Sequence, residues 1–222
     1  SGAVLVLGSA TPSVESYYRA ERGEYRLLTL TKRAKENSRL AGVHIVDLRE
    51  ELAEGNRSIF SRKLKKLIED RLEKKQQVML FMNRRGYAGF VSCRSCGKAM
   101  KCPHCDVSLT YHRNGRLKCH YCGFERPLPD RCPSCGSPFI APFGTGTQKL
   151  EEFTKREFPT ARVLRMDADT TAKKGAHEEI LATFAEGGAD ILIGTQMIVK
   201  GHDFENVTLV GVMAADLSLY AP

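Results

Sequence analysis

Cys93-Arg94-Ser95-Cys96 opens a stretch that closes on Cys132-Pro133-Ser134-Cys135, and between them run Cys102-Pro103-His104-Cys105 and Cys119-His120-Tyr121-Cys122. These four C-x-x-C pairs hold all eight cysteines of the 222-residue chain. A disulfide framework scatters cysteines through a small secreted chain, whereas pairs at this spacing let one turn of backbone grip one metal ion with two thiolates. Four thiolates make a tetrahedral zinc site, so eight make two. Iron–sulfur ligation and redox dithiols are the competing chemistries.

Spacing limits which pairs share an ion. Five residues separate Cys96 from Cys102, a tight loop for the first two pairs to close on one metal. Thirteen separate Cys105 from Cys119, a zinc-ribbon-like loop, and residues 107–111 within it alternate apolar and polar as a strand would. Nested pairing follows. Cys102, Cys105, Cys119 and Cys122 hold an inner zinc, and Cys93, Cys96, Cys132 and Cys135 an outer one. His104 and His120 sit inside two of the pairs, where imidazole can replace a thiolate but more often flanks the ligands.

Metal loading changes the charge account. The chain carries 34 Lys+Arg and 26 Asp+Glu, a formal +8. Residues 93–135 have eight basic and three acidic side chains, but eight thiolates and two Zn²⁺ bring the loaded module to about +1. Positive charge lies earlier, with seven basic against three acidic residues in 19–39 and ten against three in 57–85. Residues 136–222 are net acidic, with eight basic and twelve acidic residues. One basic face suits a phosphate backbone, although much of the run from Arg62 to Lys75 also reads as a solvated helix face. No apolar run reaches the roughly 20 residues of a membrane span, and no basic-then-apolar signal opens the chain, so a cytoplasmic protein without membrane contact is expected.

Outward from the cysteines the chain alternates strands and helices. Residues 3–7, 43–46, 78–82, 162–166, 190–194 and 207–212 read as strands. Ser61 can cap a helix with Leu64, Leu67, Ile68 and Leu72 on one side; further helices fall near residues 14–22, around Leu150 and Phe153, and over 178–185. The pattern predicts an α/β fold, a mostly parallel sheet with helices on both faces, interrupted by the cysteine-rich insertion. In such sheets chemistry gathers at the carboxyl ends of strands. Three ends carry small hydroxyls, glycine amides or arginines that suit phosphates: Ser9-Ala10-Thr11, Asn83-Arg84-Arg85-Gly86, and Gly194-Thr195-Gln196 running on to Gly201-His202-Asp203. Singly, each has a plain structural reading, Thr195 as a helix N-cap and Gly201 as a turn.

In this order, around a double-zinc insertion, these stretches resemble the primosomal replication-restart helicase family, PriA (primosomal protein N′), of DNA helicase superfamily 2. The resemblance covers essentially the whole chain. Leu7-Gly8-Ser9-Ala10-Thr11-Pro12-Ser13 is similar to the family's motif III, Phe81-Met82-Asn83-Arg84-Arg85-Gly86-Tyr87 to its motif IV, and residues 194–204 to its motif V. The family's zinc insertion is also nested. The resemblance implies RecA-like lobes: residues 1–56 as the end of a first lobe with its linker, 57–92 and 136–222 as a second lobe, and 93–135 as the zinc insertion. It implies that Ser9 and Thr11 couple nucleotide state to DNA contact, that Arg84, Arg85 and Thr195 face the DNA backbone, and that Gly201 and Asp203 face the nucleotide. By the same resemblance, the full-length protein is an ATP- and Mg²⁺-dependent 3′ to 5′ helicase. It would restart replication at stalled or branched forks, acting on single-stranded and forked DNA. Its partners would be single-stranded DNA-binding protein and primosome components, and its place the bacterial cytoplasm near the nucleoid.

ATP hydrolysis in this fold needs G-x-x-x-x-G-K-S/T, and Gly144-Thr145-Gly146-Thr147 lacks the Gly-Lys. Neither an acidic motif II nor an arginine-rich motif VI is present, so the chain reads as a fragment that does not turn over ATP alone. Two other classes fit parts of the pattern. A zinc-ribbon DNA-binding protein without a motor explains the cysteines and the charge, but not the ordered motifs. A DnaJ-type zinc chaperone module repeats C-x-x-C-x-G-x-G, whereas here Gly97, Gly123 and Gly136 directly follow their cysteine and Asp106 follows Cys105.

Overall fold

The computed structural model describes residues 2–32, 40–82, 90–112, 114–142, 146–173, 175–198 and 204–215. The chain divides into two compact units, residues 1–44 and 45–222. In the first, Ser13 caps helix α1 (Val14–Glu21) by accepting from the Ser16 N–H, and the Thr11 N–H donates to Ser9 Oγ at 3.1 Å. The expected strands at residues 3–7 and 43–46 are absent. A strand needs a neighbour for its N–H and C=O groups, and among the described residues neither segment has one. Val4, Leu5, Val6 and Leu7 stay exposed, so their β propensity goes unused.

The second unit contains the sheet. Helix α2 (Leu48–Ala53) precedes α3 (Arg62–Glu73), which Ser61 caps by accepting from the Leu64 N–H. Strand β1 (Gln77–Met82) follows. The insertion departs on β2 (Val91–Cys93), forms a three-stranded ribbon of β3 (Thr110–Tyr111), β4 (Arg116–Lys118) and β5 (Glu125–Pro127), and returns on β6 (Ile140–Pro142). Of the strand expected over residues 107–111, only the last two residues join this ribbon. Then come α4 (Thr147–Glu157), β7 (Val163–Met166), α5 (Ala176–Ala185), β8 (Ile191–Gly194) and β9 (Val207–Met213). The main sheet has the order β7-β8-β1-β9, and every pairing in it is parallel.

Alternation along the strands sends side chains into two cores. Val78, Leu80 and Met82 of β1, with Ile191 and Ile193 of β8, pack under α3 and α4 against Ile68, Leu150 and Phe158. Met79, Phe81 and Leu192 point the other way, toward Leu181 and Phe184 of α5. Full burial of Ile68 contributes about 1.5–3 kcal/mol by area removed from water. Helices therefore cover both faces, as the sequence pattern implied. Buried Gln77 pins the start of β1 by donating to the carbonyls of Phe184 at 2.6 Å and Ala189 at 2.9 Å.

The antiparallel pair β2/β6 forms the stem of the insertion, with Val91 opposite Pro142 and Cys93 opposite Ile140. Among the described residues no helix is long and apolar enough to cross a membrane.

Candidate metal centre

Each C-x-x-C pair folds into the same turn. The first cysteine donates its N–H to the carbonyl five residues on: Cys93 to Lys98, Cys102 to Val107, Cys119 to Phe124 and Cys132 to Ser137, at 2.8–2.9 Å. Its carbonyl accepts from the N–H four residues on, from Gly97, Asp106, Gly123 and Gly136, at 2.8–3.0 Å. That fourth residue always has positive φ: +75°, +55°, +76° and +69° in turn. Glycine takes this conformation freely, and aspartate is among the residues that tolerate it. Asp106 stands where the other three turns have glycine, and Lys101 Nζ donates to its Oδ2 at 2.9 Å.

The turns bring the thiols together in nested order. Cys93, Cys96, Cys132 and Cys135 form one tetrad, Cys102, Cys105, Cys119 and Cys122 the other, and within each the sulfurs lie within 4.8 Å of one another. In each tetrad the first cysteine of either pair is buried, while the second lies nearer solvent. Sγ···Sγ distances are 3.6 Å for Cys93–Cys135, 3.8 Å for Cys96–Cys132 and 3.6 Å for Cys102–Cys122. These are far longer than a disulfide, and all eight cysteines are free. A Zn–S bond of about 2.3 Å in tetrahedral geometry places sulfurs about 3.8 Å apart. An iron–sulfur cluster would spread its thiolates around a body of inorganic sulfide. The two tetrads fit two zinc ions.

Thiol acidity points the same way. The N–H groups of Cys122 and Tyr121 aim at Cys119 and bring it down to about 7. Burial pushes Cys132 up, yet the N–H groups of Ser134 and Cys135 outweigh it and leave that thiol at about 7. Their tetrad mates move oppositely. Contact with Cys122 raises Cys105 to about 12; Cys135, although the Ser137 N–H favours its thiolate, is driven to about 12 by burial and by Cys93. Four sulfurs this close do not all ionise unaided, and a divalent cation among them supplies the missing charge. His104 and His120 belong to neither tetrad. His104 sits edge-on to Phe124 at 5.5 Å, and His120 lies 5.3 Å from His112.

Arg94, inside the first pair, joins the outer tetrad to the body of the unit. Its guanidinium donates to the carbonyls of Arg57 at 2.7 Å, Ser58 at 2.5 Å and Asn56 at 3.2 Å. Arg57 in turn lies 5.5 Å over the Phe139 ring. This joint is not legible in the sequence, because its partners are backbone oxygens some 36–38 residues away.

The other sequence candidates are not gathered into one site. Ser9 and Thr11 lie exposed in the first unit. Arg84, Arg85, Gly201 and Asp203 lie outside the described residues. Thr195 is buried at the carboxyl end of β8, and its Oγ1 has no hydrogen-bond partner among the described residues, so the side chain does not act as a cap. Gly194 before it is held by packing: a Cβ there would come within 2.4 Å of Ile198 Cγ2. Beside it, past the Met166–Gly194 pairing, Asp167 accepts from Thr147 Oγ1, from Arg165, and from the N–H groups of Asp169 and Thr170 at 3.0 Å. Burial raises this carboxyl, but Thr147, the Thr170 N–H and Arg165 together hold it below the usual range. The group joins the first residue of α4 to Arg165 of β7 and to the turn that follows it, and in sequence only the Asp167-Ala168-Asp169-Thr170 turn hints at it.

Comparison with known proteins agrees with the site. Residues 102–127, the inner tetrad and its ribbon, match the family described as "PriA DNA helicase Cys-rich region (CRR) domain". The chain is 57% identical over 219 residues to the replication restart protein PriA of Bacillus subtilis, covering 98% of this chain and 27% of that protein. It is 50% identical over 221 residues to PriA of Synechocystis (96% and 26%), and 41% over 218 residues to PriA of Haemophilus influenzae (98% and 29%). The chain thus spans about a quarter to a third of the curated relatives it matches. With the nested tetrads on a parallel α/β sheet and this likeness along nearly its whole length, the chain belongs to the PriA replication restart family.

Proposed function

We propose that this chain is the zinc-bearing, DNA-facing part of an ATP-dependent 3′ to 5′ DNA helicase that restarts replication at stalled or branched forks. Residues 57–92 and 136–222 form the second RecA-like lobe in this reading, 93–135 its zinc insertion, and 1–56 the end of the first lobe with its linker. Arg84, Arg85 and Thr195 contact the DNA backbone. Gly201 and Asp203 face ATP and Mg²⁺, and Ser9 with Thr11 couples the two events. Single-stranded DNA-binding protein and primosome components are the partners, in a cytoplasmic, nucleoid-associated setting. The two zinc ions are structural, and this chain alone does not turn over ATP. The observation that carries the reading is the position of the insertion. In sequence it follows β1, whose carboxyl end lies on the edge where parallel sheets bind ligands, beside the carboxyl end of β8 that Thr195 follows.

A salt series tests it. Binding of the zinc-loaded chain to forked duplex DNA should weaken linearly in log K against log salt, and Arg84→Ala with Arg85→Ala should flatten that slope by roughly one to two units on unrelated sequences. An unchanged slope removes those arginines from the DNA path.

A further inference from the structure

We propose that the knuckle of the inner zinc site is a stacking platform for an unpaired base of single-stranded DNA, with Tyr121 as its contact residue; this deepens the DNA-binding reading above and rests on it. Tyr121 lies between two inner ligands, Cys119 and Cys122, and is 71% exposed. Its N–H points at the Cys119 sulfur, and the turn around it is closed by the Cys119–Phe124 and Gly123–Cys119 backbone bonds. The ring is therefore presented from a fixed backbone and packs into no core. The inner and outer sites differ here. At the equivalent place, two residues after the first cysteine, the outer turns carry Ser95 and Ser134, whereas the inner ones carry His104 and Tyr121. His104 and His120 are exposed on the same two turns, and Phe124 stands edge-on to His104.

Charge does not account for this face. Arg116 and Lys118 on the adjoining strand are both bridged to Glu125, at 3.3 Å and 2.9 Å, and the loaded module is close to neutral. Rigid exposed rings without surplus charge suit base faces, which every nucleotide offers, and leave phosphate binding to the basic residues elsewhere.

The chain has no tryptophan, so Tyr121→Trp installs a single fluorescent reporter at the platform. In the zinc-loaded 222-residue chain, its emission should be quenched by an oligothymidylate. Tyr121→Ala should weaken binding of that oligonucleotide about tenfold, Tyr121→Phe should retain it, and the salt slope should not change, because no phosphate contact is lost. Two metal ions per chain in each variant shows that the fold is kept; should the alanine variant lose zinc, the tryptophan signal decides. Wild-type chain that fails to bind the oligonucleotide overturns this proposal together with the DNA-binding reading. Wild-type binding with equal affinity in Tyr121→Ala, or an unquenched Tyr121→Trp, overturns the stacking platform alone and leaves the face to a protein partner.

Discussion

Replacing Arg94 with alanine should loosen the joint between the outer zinc tetrad and the segment leading into α3, without removing a metal ligand. Arg94 makes three N–H···O=C bonds, to Asn56, Arg57 and Ser58. A bond from a charged donor is worth about 1.5–3 kcal/mol. These carbonyls belong to exposed or half-buried residues, so water replaces the lost partner and the net cost falls well below the sum, to about 2 kcal/mol. The segment reports on itself, because the Ser58 N–H donates to Asn56 Oδ1 at 2.9 Å and the Phe60 N–H to Ser58 Oγ at 3.1 Å. If the joint holds these turns closed, 2 kcal/mol corresponds to about 30-fold faster hydrogen exchange at those two amides. Arg94→Lys should recover less than half of the effect, since a single ammonium cannot span three carbonyls. Hydrogen exchange read by mass spectrometry over residues 56–61 measures all three proteins, with metal content as the control. Exchange in Arg94→Ala equal to wild type would refute the joint. Full rescue by lysine would reduce it to simple charge.

Two further outcomes follow from the tetrads and their turns. Elemental analysis should give two zinc ions per chain, and Cys102→Ser should reduce the count to one while the outer ion stays; one metal per chain in the wild type, or iron, would contradict the paired sites. Gly123→Val should destabilise the ribbon by about 1–2 kcal/mol because of its φ of +76°, whereas Asp106→Gly should be tolerated within about 0.5 kcal/mol, relief at φ +55° offsetting a freer unfolded chain and the lost Lys101 contact. Chelator-driven unfolding of the two variants measures the difference, and equal losses would show that the positive-φ requirement is not what shapes these turns.

The spacing of eight cysteines already favoured the nested pairing, since five residues make a tight loop and thirteen a zinc-ribbon-like one for two pairs to close on one ion. Ser61 as a cap, and the alternation that sends Val78, Leu80 and Met82 to one side and Met79 and Phe81 to the other, were equally legible, because capping and period-two burial are local signals. Local signals also misled. Residues 3–7 have the composition of a strand and form none, for strand formation depends on a neighbour that no short window contains. Tertiary structure alone decided the sheet order β7-β8-β1-β9, the grip of Arg94 on three distant carbonyls, and the meeting of Thr147, Arg165 and Asp167 beside buried Thr195. These bonds join residues of ordinary type to partners that are mostly backbone atoms or come from other elements. Their specificity lies in geometry, and geometry is set only when the chain has closed on itself.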